Sequence, residues 1–319
     1  MTILRADLHV HSWHSRRSGN LQFLKSRDCY SDPEDVYTVA KARGMDIVTI
    51  TDHDSIEGGL EFLASHPDAR DFILGEEVSC RFPDGDIEVH LGVYGMTEEL
   101  HREIQPLRGN VFEVTALLRA TGVYFSLNHL LHFYRRQAPL SSYLRLLDEV
   151  PALETRNGTM LPEHNELIAR IAARWGPAAG IRRLGSVGGS DAHTLRRIGT
   201  TWTEAPGRTR EEFLESLRQG RGSAGGVHGG TAAISGDAYG VIRAYVRSLA
   251  GFGPRDHRRL ERTLCLLFSA VSLPIQFLPV VIAGAGKWRE FREVRRAAAE
   301  LSGWLDEQPA EVMTQQVQA

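Results

Sequence analysis

The sequence predicts an α/β fold: a TIM-like barrel of parallel strands wrapped by helices, followed by a C-terminal helical extension. Three observations lead there. Short apolar runs alternate with helical stretches from the first residues to about residue 220, as a repeated βα unit requires. The runs are nearly continuous in apolar residues, which suits strands buried on both faces of a parallel sheet. Ionisable residues recur at the ends of these runs, where barrel enzymes assemble their sites. A doubly wound sheet satisfies the first two observations as well; the third favours the barrel.

In chain order, strands are predicted at Ile3–Val10, Asp46–Thr51, Phe72–Val78, Ile87–Tyr94, Val123–Leu127, Ala152–Thr155 and Leu184–Gly188. Between the first two, Ser31-Asp32-Pro33-Glu34 has capping-box spacing with proline in the first turn, and Gly44 supplies the stop. Thr209 to Glu212 repeats the capping pattern before Phe213–Leu217. Glycines then crowd residues 220–236 and mark a flexible loop or domain boundary. The expected division is a catalytic barrel at 1–236 and a helical extension at 237–319.

Within the extension, 264–286 carries no charged residue and is flanked by Arg258, Arg259 and Arg262 before it and Lys287, Arg289 and Arg292 after it. Its length suffices for a spanning helix of roughly 20 residues. Pro274 and Pro279 interrupt it. The reading is a helical hairpin buried against the barrel or against a second copy, with membrane contact as the alternative.

At 319 residues the chain suits one large domain, or one large and one small. A net charge of -3 excludes a broadly basic surface, so no stable nucleic-acid partner is expected. Cys29, Cys80 and Cys265 are odd in number and far apart, which gives no disulfide framework and fits a reducing compartment. The opening residues do not read as a signal peptide. A cytoplasmic protein is expected, with membrane association through 264–286 kept open.

Seven strand-like segments carry chemistry. In Asp7-Leu8-His9-Val10-His11, strand alternation aims His9 and His11 to one face, a pairing that suits zinc, iron or manganese. Thr51-Asp52-His53-Asp54 crowds titratable groups at a strand exit, where burial is costly without a metal or a partner. Of Glu76 and Glu77 only one can face inward, leaving the other as a solvated charge. His90 interrupts an apolar strand, and Asn128-His129 closes the next, with His132 one turn on. Ser190-Asp191-Ala192-His193 repeats the spacing of the first cluster, and Glu154 and Asn157 mark a further strand end.

Asp-Leu-His-Val-His-Ser, Thr-Asp-His-Asp, Gly-Glu-Glu-Val-Ser and Gly-Ser-Asp-Ala-His, in this order over residues 5–236, resemble the successive motifs of the PHP (polymerase and histidinol phosphatase) superfamily. The resemblance implies a distorted (β/α)7 barrel and a phosphoesterase site with two or three divalent ions (manganese, iron or zinc). By motif position His9, His11, Glu77 and Asp191 hold one ion. Glu77 bridges to a second completed by His90 and His129, and His53 and His193 approach a third. The motif also selects Glu77 over Glu76. One departure stands out: many relatives continue the first motif with Ser-Asp-Gly, whereas Ser15 is followed by Arg16, Arg17 and Ser18. Either His14 substitutes for the missing carboxylate or the third site is weak.

The implied reaction is hydrolysis of a small phosphate ester by a hydroxide shared between ions about 3.5–4 Å apart. Arg16, Arg17 and Arg196 are candidates to grip phosphate, with Arg135, Arg136 and Arg197 behind them. Asp52 is read as orienting a ligand histidine. Rival readings are an amidohydrolase, a nuclease acting on short oligonucleotides, and a non-catalytic metal-binding module. The first is disfavoured because Lys25, Lys41 and Lys287, the chain's only lysines, sit at no strand end.

Overall fold

The computed structural model describes residues 2–15, 24–83, 87–132, 140–175, 184–254, 256–272, 275 and 277–307. Its first half runs β1 (Ile3–Ala6), α1 (Pro33–Ala42), β2 (Val48–Ile50), α2 (Glu57–Ser65), β3 (Phe72–Arg81), β4 (Glu88–Tyr94), α3 (Glu98–Ile104), α4 (Val111–Thr121) and β5 (Tyr124–Asn128). The second half runs α5 (Leu140–Leu147), β6 (Ala152–Asn157), α6 (Pro162–Arg174), β7 (Gly185–Gly189), β8 (Thr201–Pro206), α7 (Arg210–Arg218) and β9 (Ser223–Gly226). Three helices close the chain: α8 (Thr231–Leu249), α9 (Arg259–Val271) and α10 (Leu278–Glu307).

The strands form a six-stranded sheet in the order β2-β3-β4-β5-β6-β7 and a three-stranded sheet in the order β1-β8-β9. β2-β3, β5-β6 and β6-β7 are parallel. β3-β4 and β4-β5 are antiparallel, as is the whole smaller sheet. The structure is therefore a mixed α/β fold around a curled sheet, and the wholly parallel pairing expected from the apolar runs is corrected. The reason is partly connectivity. Only residues 82–87 join β3 to β4, too few for the crossover of a dozen or more residues that a parallel pair needs.

Other contacts link the two sheets. Ala6 and Ile47 form an isolated parallel bridge, and Val10 and Ala192 another. Thr203 Oγ1 of β8 donates to the Gly188 carbonyl of β7 at 2.8 Å and accepts from its amide at 2.7 Å. β1 stops at Ala6, well short of the predicted Val10. Beyond it Asp7 accepts from the amides of Ser190 (2.8 Å) and Gly199 (2.7 Å), so the first motif is tied down by a side chain instead of a ladder.

The helix starts follow their sequence signals. Asp32 caps α1 by accepting from Glu34 N at 2.9 Å, and Thr209 caps α7. The glycine-rich stretch, by contrast, is ordered chain: it contains β9 and the start of α8. Glycine is required there for close approach, since a Cβ on Gly229 would lie 1.9 Å from the Thr159 carbonyl oxygen.

The C-terminal segment is split as well. α10 contributes Val294 and Leu301 to the main apolar core, which otherwise lies largely between the large sheet and α3–α6. The uncharged run 264–286 is divided between α9 and α10, and among the described residues no helix is long and apolar enough to cross a membrane. Much of that run is not buried: Leu264, Leu267, Val271, Val281 and Ile282 are exposed, whereas Cys265 and Ala283 are buried.

Candidate metal centre

One rim of the curled sheet gathers every histidine and carboxylate that the sequence singles out as a ligand. His9 and His11 follow β1, His53 follows β2, Glu77 lies within β3 and His90 within β4. His129 follows β5, and Asp191 and His193 follow β7. Glu77 is the hub and is fully buried. Its Oε2 lies 3.1 Å from His9 Nε2, 3.5 Å from His11 Nε2 and 3.0 Å from His53 Nδ1. Its Oε1 lies 3.1 Å from His90 Nδ1 and 3.0 Å from His129 Nε2. Asp191 Oδ1 stands 3.6 Å from His9 Nε2, 3.5 Å from His11 Nε2 and 3.6 Å from His193 Nδ1.

Four triads place one ligand atom per residue within 4.8 Å of one another: His9-His11-Glu77, His53-Glu77-His90, His9-His129-Asp191 and His11-His53-His193. His9 Nε2, His11 Nε2 and Glu77 Oε2 are buried without hydrogen-bond partners, a costly state for polar atoms that a cation would relieve. A set of imidazoles with two carboxylates suits manganese, iron or zinc. Residues and metal fit.

The ligands are braced from behind. Glu154 Oε1 is 2.9 Å from His9 Nδ1, which turns Nε2 toward Glu77. Its other oxygen accepts from His129 N at 3.0 Å and Asn157 Nδ2 at 2.9 Å. Asp191 Oδ2 accepts from Thr159 Oγ1 at 2.9 Å and from Asn157 Nδ2 at 3.3 Å, leaving Oδ1 to face the imidazoles. His129 and Asp191 hold left-handed backbone (φ 24° and 52°), strain of the kind found at functional sites. Gly189 leaves room for His9, because a Cβ there would sit 2.3 Å from His9 Cβ.

Electrostatics follow from this crowding. Burial alone would raise the Glu77 carboxyl, but His9, His53, His90 and His129 outweigh it and hold it well below the usual carboxylate range. Asp191 is held down likewise by His9, His11 and His193 against its burial. Burial, then the nearby His193, lowers His11 to about 3, so its ring stays neutral as ligation requires.

Several expectations are corrected. Glu76, expected as a solvated charge, is fully buried on the other face, with Oε2 2.8 Å from His101 Nδ1. Asp52 does not orient a histidine: both its oxygens accept from Ser12, from the amide and the hydroxyl, each at 2.6 Å. Burial raises its carboxyl to about 7 against those bonds. His14 meets Glu61 at 2.5 Å and joins none of the four triads. Arg196 is exposed and lies against Gly236 of α8. Arg197 is spent on the Gly158 carbonyl and on Asp237. Arg16, Arg17, Arg135 and Arg136 lie outside the described residues.

Residues 162–221, covering α6 to the turn after α7, match the family model described as PHP-associated. The match spans 60 of the 319 residues. The chain is 30% identical over 104 residues to an uncharacterized protein of Methanocaldococcus jannaschii, a match covering 32% of this chain and 57% of that one. It thus spans little more than half the length of the curated relative. Among solved structures its fold resembles PsfC from Pseudomonas syringae, with 17% identity, 78% of this chain and 99% of that chain covered and a TM-score of 0.51. The lesion-specific endonuclease EndoQ from Pyrococcus furiosus is a more distant neighbour, at 18% identity, 68% and 56% coverage and a TM-score of 0.44.

A cleft of about 400 Å³ opens beside His193, with Trp13, Tyr30, Arg247 and Phe252 among its walls. The last two come from α8 and the turn that follows it. Neither was singled out from the sequence, because nothing local marks a helix-face arginine or a loop phenylalanine as neighbours of a histidine some fifty residues earlier.

Proposed function

We propose that this chain is a metal-dependent phosphoesterase that hydrolyses a small phosphate ester. The observation that carries the reading is Glu77, one buried carboxylate whose two oxygens face two different sets of imidazoles, at 3.0 to 3.5 Å. A carboxylate so placed can be shared between two cations. Bound divalent ions would supply activation of water and neutralisation of phosphate charge.

The chain's own residues do the rest. Glu154 keeps the His9 ring in the orientation that offers Nε2. Thr159 and Asn157 fix one oxygen of Asp191 so that the other faces inward. The cleft beside His193 has the volume of a small-molecule site. Its Arg247 offers a cation for the ester's phosphate or for an acidic leaving group. A net charge of -3 favours a small ester over a long nucleic-acid strand.

The test is phosphate release from an aryl phosphate by manganese-loaded protein, with short oligonucleotides assayed in parallel. Turnover of the aryl ester that disappears in His9→Ala supports the reading. Undiminished turnover in His9→Ala contradicts it, and so does a fully loaded protein that splits no ester.

A further inference from the structure

We propose that the tip formed by the end of α9 and the start of α10 docks on an anionic lipid surface. The run 264–286 is not absorbed by the metal centre, and among the described residues only part of it is covered: Cys265 and Ala283 are buried while most of its large apolar side chains are exposed. On α9, Leu260, Leu264, Leu267 and Val271 recur at helical spacing and are 73%, 57%, 59% and 78% exposed. The opposite face of the same helix is the attached one, where Cys265 packs with Tyr245 and Leu249 of α8. At the start of α10, Phe277, Val281 and Ile282 continue the exposed apolar surface. Monomers seldom leave so large an apolar surface in water unless something covers it.

The charge around this surface selects the partner. Arg258, Arg259 and Arg262 precede it and Arg289 and Arg292 follow it, all exposed. From residue 258 to 292 the only carboxylates are Glu261 and Glu290. Glu261 is held by Lys25 at 2.9 Å, and buried Glu290 by Lys287 at 2.5 Å and by the Leu161 amide at 2.7 Å. The rim is therefore positive. A two-fold dimer through this patch would press one such rim toward its copy, with Glu261 already engaged by Lys25 and Glu290 buried. A bilayer bearing anionic headgroups meets both features at once: acyl chains receive the leucines and valines, and phosphates meet the arginines. Trp288, 59% exposed with the Arg292 guanidinium 4.7 Å from its ring, stands between apolar surface and basic rim, where membrane-surface proteins place tryptophan. Because no described helix can cross a bilayer, the contact is interfacial.

Co-sedimentation of the full chain with vesicles of phosphatidylcholine, with and without phosphatidylserine, tests this. We expect about tenfold more protein on the phosphatidylserine vesicles at low salt, and loss of that binding in Leu267→Asp/Val271→Asp. Arg259→Glu/Arg289→Glu should bring binding on the anionic vesicles down to the neutral level. All four positions are exposed, and metal content and circular dichroism verify that the variants fold. Three results would overturn the proposal: no pelleting with either vesicle, pelleting independent of phosphatidylserine, or a lipid-free dimer that Leu267→Asp/Val271→Asp dissociates.

Discussion

The Thr159 hydroxyl donates to Asp191 Oδ2 at 2.9 Å, while the carbonyl of the same threonine accepts from Lys287 Nζ at 2.6 Å. The last helix is thereby two hydrogen bonds from a candidate metal ligand. Thr159→Val keeps the shape and removes the bond to Asp191. It should weaken manganese binding by about tenfold, as loss of a ligand's supporting bond does, and leave the midpoint of thermal unfolding nearly unchanged. Calorimetric titration with manganese reads the first effect.

Lys287→Met acts differently. It leaves Glu290 buried with only the Leu161 amide as its named partner, and stranding a buried charge costs about 3–5 kcal/mol. Denaturant unfolding should show that loss. An unchanged midpoint would mean that α10 is not fastened to the Thr159 loop as described.

Glu154→Gln retains a hydrogen-bonding side chain of the same size but removes the negative charge beside His9 Nδ1. Metal affinity should fall about 10- to 100-fold, and catalytic activity at saturating manganese should fall less than activity at limiting manganese. Equal losses at both concentrations would show that Glu154 does more than orient the ring.

Gly189→Ala puts a methyl group 2.3 Å from His9 Cβ, where backbone and ring root have nowhere to move. We expect a loss of about 1–3 kcal/mol in stability from overpacking, accompanied by reduced metal content. A stable, fully loaded variant would show that β7 and the first motif are farther apart than described.

His164 provides a pH prediction away from the metal ligands. Burial lowers its ring from 6.5 to about 3, helped by His129 and opposed by a bond to Asn165. Between these values the unfolded chain binds a proton that the folded chain does not. This contribution to stability is complete above pH 6.5 and is lost progressively as pH falls toward about 3. The slope is up to about 1.4 kcal/mol per pH unit. In His164→Gln the fall in unfolding free energy below pH 6.5 should be shallower by that amount. An identical slope in both proteins would place the ring in contact with water.

The ligands were legible because alternation and order carry them. His9 and His11 share a face two residues apart, and the four motifs arrive in sequence at successive strand ends. What braces them was not. Glu154 and Asn157 could be placed at a strand end, but their partners His9 and Asp191 are far away in sequence. Lys287 looked unrelated to any strand because its contact with Thr159 is made across the fold. The sheet was misread as wholly parallel because apolar runs such as Val78–Cys80 and Val89–Val93 look alike in either direction; the signal available was Pro83-Asp84-Gly85 between them, a turn sequence. β8 buries Thr201, Thr203 and Ala205 and turns Trp202 and Glu204 outward, an alternation that polarity does not announce. β9 had no signal either, being serine, alanine and glycine.

Anomalous diffraction from manganese-loaded crystals tests the metal centre directly. The account predicts two or three peaks at the rim, each within about 2.0–2.3 Å of imidazole nitrogens and carboxylate oxygens, and Glu77 touching two of them. A single peak, or peaks that leave Glu77 without metal, would contradict it.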